Sequence, residues 1–323
     1  MKSNNKRFSL RKEGLTVLSL CDGMSCGHIA LDRAGCKVNK YFAAEIKDIG
    51  IKVTKVNYPD TIHIGDVNKI TYKDGILHTE IGDFETEIDL VIFGSPCQSF
   101  SIAMKTEHRV GLEDKEKSGL FLECYRILKE VDPKYFLMEN VASMKNDDRD
   151  FISSMMGVEP IMIDSALVCP CLRKRYYWTN IPNVKPIEDK HITFQSILDN
   201  GYTNREKGVS LLVSDCRPTT TPIKMFHRYH RKSFTNLIFK SKKHYEECVK
   251  YYDSHYKGMK AKDIPVGETD VFDGVRFMNQ REIERCQTIP EGYTKCLTRN
   301  EAADVCGDGW TVDLIAHIFE CIE

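Results

Sequence analysis

The residues best suited to chemistry lie at three points along the chain. Ser95-Pro96-Cys97-Gln98 follows the apolar run 88–93 (IDLVIF). A proline stiffens the loop before the cysteine, and a rigid strand end beneath it can hold a thiol in one place. An isolated cysteine is more often a small buried hydrophobe than a nucleophile, but Cys97 has company. Glu139, in Met-Glu-Asn-Val, ends the apolar run 135–138, and Arg173-Lys174-Arg175 precedes a Tyr-Tyr-Trp segment. A nucleophile, a carboxyl group and a guanidinium converging on one crevice suit attack on an electron-poor heterocycle.

A second group of polar residues reads as a binding site. The turn from Asp22 to Gly27 (DGMSCG) sits between a strand-like and a helix-like run, where glycines let backbone approach a ligand closely. The middle glycine of the dinucleotide fingerprint is missing, which argues against a dinucleotide and leaves room for a nucleoside cofactor without a pyrophosphate. Glu45 could accept hydrogen bonds from ribose hydroxyls, and Asp66 could meet an exocyclic amine. Each acid alone could equally be a surface carboxylate or a helix cap. Three at successive strand ends favour a site.

The elements that must position these groups follow from periodicity. Apolar runs at 15–20, 40–45, 62–67, 88–93 and 135–138 read as buried strands. Helical patterns at 28–34 and through Ile51, Val53 and Val56 separate the first three. This alternation predicts an α/β fold with a Rossmann-like doubly wound parallel sheet, whose ligands sit beyond the carboxyl ends of the strands. After Pro182 the alternation stops, and residues 183–275 read as a smaller, irregular α+β segment. A helical pattern returns from Arg281, and the closing stretch is apolar at Trp310, Val312, Leu314, Ile315, Ile318 and Phe319, the spacing of a helix packed on one face. The expected division is 1–182, 183–275 and 276–323.

Composition bounds the partners. With 46 Lys and Arg against 47 Asp and Glu in 323 residues, net charge says nothing about them. The distribution does: between Lys224 and Lys262 eleven basic residues face three acids, with eight aromatics interleaved. Such a patch suits phosphate backbone binding. Within it, Arg228 and Arg231 are candidates to read base edges. No apolar run approaches the ~20 residues that cross a bilayer, and the basic N-terminus lacks an apolar signal core. A cytoplasmic protein with reduced thiols is therefore expected, its thirteen cysteines being scattered and odd in number. Cys169 and Cys171 form a Cys-x-Cys pair with no second pair at ligand spacing, so no metal is expected.

In order, the segments LSLCDGMSCG, AAEI, GDV, GSPCQSFS, MENV, RKRYYWTNIP, RPTTTP and GDGWTVDLIAHIF resemble the motif series of the cytosine-5 DNA methyltransferases. Within the family the likeness is nearest to short phage-type and bacterial single-chain enzymes. It runs from residue 15 to the C-terminus apart from 223–275, where the family carries its variable target-recognition region. The resemblance implies the S-adenosylmethionine-dependent methyltransferase fold with a smaller recognition domain at 183–275. It implies transfer of a methyl group from S-adenosyl-L-methionine to carbon 5 of a cytosine flipped out of double-stranded DNA. Cys97 would add to carbon 6, Glu139 would hold a proton at ring nitrogen 3, Arg175 would bind the carbonyl oxygen at position 2, and Arg173 would support the loop or Glu139. Cys21, Asp22, Gly23, Gly27, Glu45, Ile46, Asp66, Val67, Ser95, Pro96, Asp308 and Trp310 would line the cofactor site. A monomer acting on nucleoid DNA, in restriction–modification or phage protection, is implied.

Three positions depart from the family pattern. Cys21 stands where an aromatic usually packs on the cofactor, Cys171 where a Gln usually precedes the arginines, and Asp308 where Asn is common. Two rival readings are methylation of tRNA cytosine and a DNA-marking module without turnover. The Cys-Phe-Thr tripeptide of the closest tRNA-acting relatives is absent, and the intact Cys97, Glu139 and Arg175 speak against the second.

Overall fold

The computed structural model describes residues 14–95, 119–211, 221–232, 235–264 and 270–323. They pack into two compact units. The first holds residues through Asp164, Lys174–Ile187 and Val312–Glu323; the second holds Ser165–Arg173 and Glu188–Thr311.

The first unit is built on a seven-stranded sheet. Its strands are β1 (Leu15–Leu20), β2 (Val38–Ala44), β3 (Ile62–His63), β7 (Leu90–Gly94), β8 (Tyr135–Val141), β9 (Ile161–Asp164) and β10 (Lys174–Thr179), in the spatial order β3-β2-β1-β7-β8-β10-β9. The strands from β3 to β8 pair in parallel, and β10 runs antiparallel to both β8 and β9. Both faces of a parallel sheet are covered, which is why β1 and β7 are continuous apolar runs with Val17, Leu18, Leu90 and Ile92 fully buried. Crossovers run through α1 (Cys26–Arg33), α2 (Asp48–Asn57) and α3 (Gly119–Val131), and α4 (Asn146–Met156) links β8 to β9. The last helix, Val312–Phe319, returns to pack on α1, where the Arg33 guanidinium pairs with Asp313. Strand order reverses at β1, whose neighbours are β2 on one side and β7 on the other. In an open sheet, ligands are expected beyond the carboxyl ends of the strands at such a point.

The third expected strand is short. β3 stops at His63 because Gly65 takes a φ of +82° and Asp66 caps a single helical turn, Val67–Lys69. A second, three-stranded antiparallel sheet follows: β4 (Thr71–Lys73), β5 (Ile76–Thr79) and β6 (Gly82–Glu85). Asp74 and Gly75 both sit at positive φ between β4 and β5, as a two-residue hairpin turn of matching twist requires. Its base is fastened to α3: the Tyr72 N–H donates to Glu130 at 2.9 Å, and Arg126 donates to the Ile70 carbonyl at 2.8 Å.

The second unit carries α5 (Pro222–Lys232), α6 (Lys242–His255), α7 (Gln280–Cys286) and α8 (Arg299–Asp308), with two-residue strands Cys171–Leu172 and Gly208–Val209 paired in parallel. Its core is aromatic. Phe226, Tyr229, Phe239, Tyr252 and Phe272 are buried together with Ile223, Leu237 and Cys248. This corrects the reading of the interleaved aromatics as a nucleic-acid surface. Phe226 and Tyr229 on α5, and Cys248 and Tyr252 on α6, recur at three- and four-residue spacing, so they share a buried helix face. Lys240, Lys242, Lys243, Lys250, Lys257, Lys260 and Lys262 remain exposed. Phe234 lies outside the described residues.

These packing boundaries differ from those expected from sequence. Residues 276–311 and Ser165–Arg173 pack with the second unit, and only Val312–Glu323 returns to the first. Helical periodicity shows that a stretch packs on something, but not on what. Among the described residues no helix is long and apolar enough to cross a membrane, and no group of three or more His, Cys, Asp or Glu side chains could hold a metal ion.

Candidate functional site

The loop after β1 is held open by its own polar groups. Cys21 takes a φ of +55°, Gly23 +64° and Ser25 +60°, so the chain turns sharply before α1. A Cβ on Gly23 would meet nothing within 4 Å, so open space lies before this backbone. Glu45, just past β2, clamps the loop. One carboxylate oxygen accepts the Gly23 N–H at 2.7 Å, and the other accepts the Ile46 and Lys47 N–H groups, each at 2.8 Å. A carboxylate offers about four acceptor positions, so three donors leave Glu45 one for a ligand hydroxyl. Ile46 beside it is 70% exposed, an apolar surface for a flat ring.

Asp22 is built in more deeply. Its carboxylate accepts from Ser25 at 2.5 Å and from Tyr41 at 2.8 Å, and burial raises its pKa above the usual carboxylate range. Gly27 is buried in the first turn of α1. His28, one residue on, is stacked between Tyr41 and Tyr58 with ring centroids 4.5 and 3.9 Å away. Burial holds its imidazole down at about 4. Cys21 is half-buried, and its thiol hydrogen-bonds with that of Cys124 on α3, which is itself pushed well above the usual thiol range. The position expected to carry a packing aromatic thus holds a small side chain tied inward.

Asp66 caps the turn Val67–Lys69. Its Oδ1 accepts from the backbone and side chain of Asn68, at 3.0 and 2.8 Å. Its Oδ2 is given no hydrogen bond among the described residues. Val67 is buried beneath it.

The chemical end is set by strand register. Gly94 of β7 pairs with Glu139 of β8, so Ser95 begins its loop beside Asn140, whose Nδ2 donates to Ser95 Oγ at 3.2 Å. Pro96, Cys97 and Gln98 lie outside the described residues. β10 pairs antiparallel with β8, Tyr177 opposite Glu139 and Arg175 opposite Val141, which puts Glu139 and Arg175 on one face of the sheet. Their side chains form an ion pair, Nε to Oε1 at 2.7 Å, with only 13% and 10% of each exposed. The structure therefore brings Glu139 and Arg175 together, one strand from where the Cys97 loop leaves.

Arg173 is engaged otherwise. Its guanidinium donates to the carbonyls of Gly307 and Gly309 at 3.1 and 2.8 Å, at the end of α8 in the second unit. Asp308 ends α8 and is exposed, and Trp310 is half-buried. Cys171 is buried in the same unit, and its carbonyl accepts from the Cys169 thiol at 3.3 Å. Sequence reasoning missed the Asn140–Ser95 bond and the His28 stack, for which the chain carries no local signal. It also missed the hairpin 71–85, which Asp74-Gly75 could have revealed.

The family model described as C-5 cytosine-specific DNA methylase matches residues 15–156. The Type II methyltransferase M1.ScrFI of Lactococcus lactis subsp. cremoris is 40% identical over 310 residues, covering 88% of this chain and 72% of that protein. The Type II methyltransferase M.NgoBV of Neisseria gonorrhoeae is 39% identical over 116 residues, a match that spans 36% of this chain and only 24% of that relative's length. The solved structure of the Entamoeba histolytica methyltransferase EhMeth superposes with a TM-score of 0.61 over 96% of this chain and 98% of its own, at 18% identity, a likeness of fold alone. With one relative matched so closely over most of both chains, the chain belongs to the C-5 cytosine-specific DNA methylase family.

Proposed function

We propose that the chain is an S-adenosylmethionine-dependent DNA methyltransferase that modifies carbon 5 of cytosine through a covalent adduct with Cys97. The observation that carries this reading is the nearly buried Glu139–Arg175 pair, one strand from the loop that leads to Cys97. A carboxyl and a guanidinium so placed suit a flat ring with one nitrogen and one carbonyl to be held, while the thiolate attacks its edge.

The chain's own groups would share the work as follows. Asp22, Gly23, Glu45, Ile46 and Asp66 would hold the cofactor: the open backbone before Gly23, the spare acceptor position on Glu45 and the unused Asp66 oxygen fit an adenosyl group. When bound, S-adenosyl-L-methionine would supply an electrophilic methyl group. The Cys97 thiolate forms a bond to carbon 6, and the displaced π-electron pair makes carbon 5 nucleophilic. Glu139 holds a proton at nitrogen 3, so charge does not build up on the ring. Arg175 stabilises the oxygen at position 2. After methylation a base removes the carbon 5 proton, and that electron pair expels Cys97 as thiolate. The base must leave the duplex stack to reach this crevice. Residues 183–275 would recognise the target, their exposed lysines meeting phosphates. The Type II name of the Lactococcus relative suggests a restriction–modification setting.

The test is duplex DNA carrying 5-fluorocytosine. Fluorine cannot leave as a cation, so the adduct should stall after methylation and survive denaturation with wild-type protein. Cys97→Ser should trap nothing while still binding cofactor and DNA. A wild-type protein that transfers label to DNA without a trapped adduct would overturn the covalent mechanism. Transfer of labelled methyl to tRNA and not to DNA would overturn the substrate.

A further inference from the structure

The hairpin between β5 and β6 turns on two residues, Glu80 and Ile81, since Thr79 pairs with Gly82. Thr79 Oγ1 donates to the Gly82 carbonyl at 2.7 Å and accepts the Ile81 N–H, so the turn is internally braced. From it the Glu80 carboxylate reaches back fourteen residues: Oε2 accepts the Asp66 N–H at 3.3 Å, and Oε1 meets the Lys69 ammonium at 2.5 Å. It lies so close to Gly65 that a Cβ there would stand 2.8 Å from Oε2. An exposed Lys–Glu pair by itself contributes little. Here the pair straddles the one turn that ends in Asp66, and Asn68 takes only one oxygen of Asp66.

We propose that Glu80 is a positioning residue of the cofactor site, gripping the Gly65–Asp66 backbone so that the free oxygen of Asp66 faces the exocyclic amine of an adenine ring. This rests on the reading that the site takes an adenosyl cofactor. Without the grip, Gly65 frees the turn to rotate, since glycine tolerates both signs of φ. Lys69 completes the device by offsetting the repulsion between the Glu80 and Asp66 carboxylates. The hydrogen bond from Lys69 also holds Glu80 below the usual carboxylate range.

Calorimetry with two ligands tests the idea: S-adenosylhomocysteine, and S-inosylhomocysteine, which carries a carbonyl in place of the amine. Glu80→Ala should weaken S-adenosylhomocysteine binding by roughly 3- to 10-fold, the loss of one hydrogen bond's worth of orientation. It should leave the inosyl analogue within about twofold, because that analogue presents a carbonyl where the exocyclic amine would donate to Asp66. Glu80→Gln keeps an acceptor for the Asp66 N–H and should recover most of the affinity. In the Asp66→Ala background, Glu80→Ala should cost nothing further. Equal losses for both ligands would make Glu80 a structural residue and overturn the proposal, as would unchanged affinity for both. Wild-type protein that binds no S-adenosylhomocysteine would sink the methyltransferase reading and this role with it, whereas binding insensitive to Glu80 sinks only the role.

Discussion

Both units bury carboxylates, and they use them in opposite ways. In the second unit Glu282 is fully buried and accepts four bonds, from Asp199 N–H, Asn279 N–H and two Arg276 nitrogens. Glu284, also fully buried, accepts from Gly292 N–H and from the backbone and hydroxyl of Thr294. These acids stitch loops to α7 and have no oxygen that a ligand could reach. In the first unit Glu45 and Asp66 stand just past strand ends, partly exposed, and Glu139, within β8, is nearly buried and paired only with Arg175 among the described residues. Burial alone therefore does not separate the acids proposed to act on ligands from the structural ones.

Paired substitutions sharpen that contrast most. Glu139→Gln keeps the shape of the side chain and removes its proton-holding role, so turnover per folded molecule should fall by about 10²- to 10⁴-fold while thermal stability changes little. Glu282→Gln should do the reverse. Leaving Arg276 facing a neutral amide in a buried network should cost roughly 2–4 kcal/mol of stability, with turnover per folded molecule nearly unchanged. If the two variants lose activity and stability in the same proportion, the distinction fails.

Acid should unfold the units in different pH windows. His28 is held at about 4 by burial, against an ordinary value near 6.5, and its Nδ1 has no hydrogen-bond partner among the described residues. Below pH 6.5 the unfolded chain takes up a proton that the folded chain resists, so stability falls as pH drops from about 6.5 to about 4. The loss should be on the order of 2–3 kcal/mol, and His28→Phe should flatten this limb in denaturant titrations followed across pH. Asp199 is held down at about 2 by the hydrogen bond from Asn279 and by Arg285 and Arg281. Its contribution is present above about pH 4 and lost as pH falls through about 2. Asp199→Asn should remove that lower window and leave the upper one intact.

The smallest effect belongs to the exposed face of α6. Lys242 and Lys243 lie 4.0 and 3.9 Å from Glu246 and Glu247, with the lysines 72% and 86% exposed, so these pairs leave both charges open to phosphates. Neutralising both to Gln should weaken DNA binding equally for all sequences and reduce the salt slope by at most about 2, with no change in melting temperature. A change of sequence preference instead would make α6 a reader of bases.

The chain's local chemistry places most of the first unit's candidate site at or near strand ends. Alternating apolar runs mark buried parallel strands, and Gly or Pro punctuates where they stop, so the sequence alone assigns Asp22, Glu45, Asp66, Ser95 and Glu139 to one edge of a sheet. These signals act over a few residues, within the reach of backbone sterics and periodicity. What tertiary structure decided acts over longer separations. Only register shows that Glu139 meets Arg175 and that Asn140 meets Ser95, because a one-residue slip would turn each to the other face. Only packing shows that Phe226, Tyr229 and Tyr252 make a core, that Arg173 serves the end of α8, and that Glu80 reaches Asp66. A side chain's type limits the bonds it can make. Which of them it does make depends on the neighbours that the fold brings within three ångströms or so, and those are not adjacent in the chain.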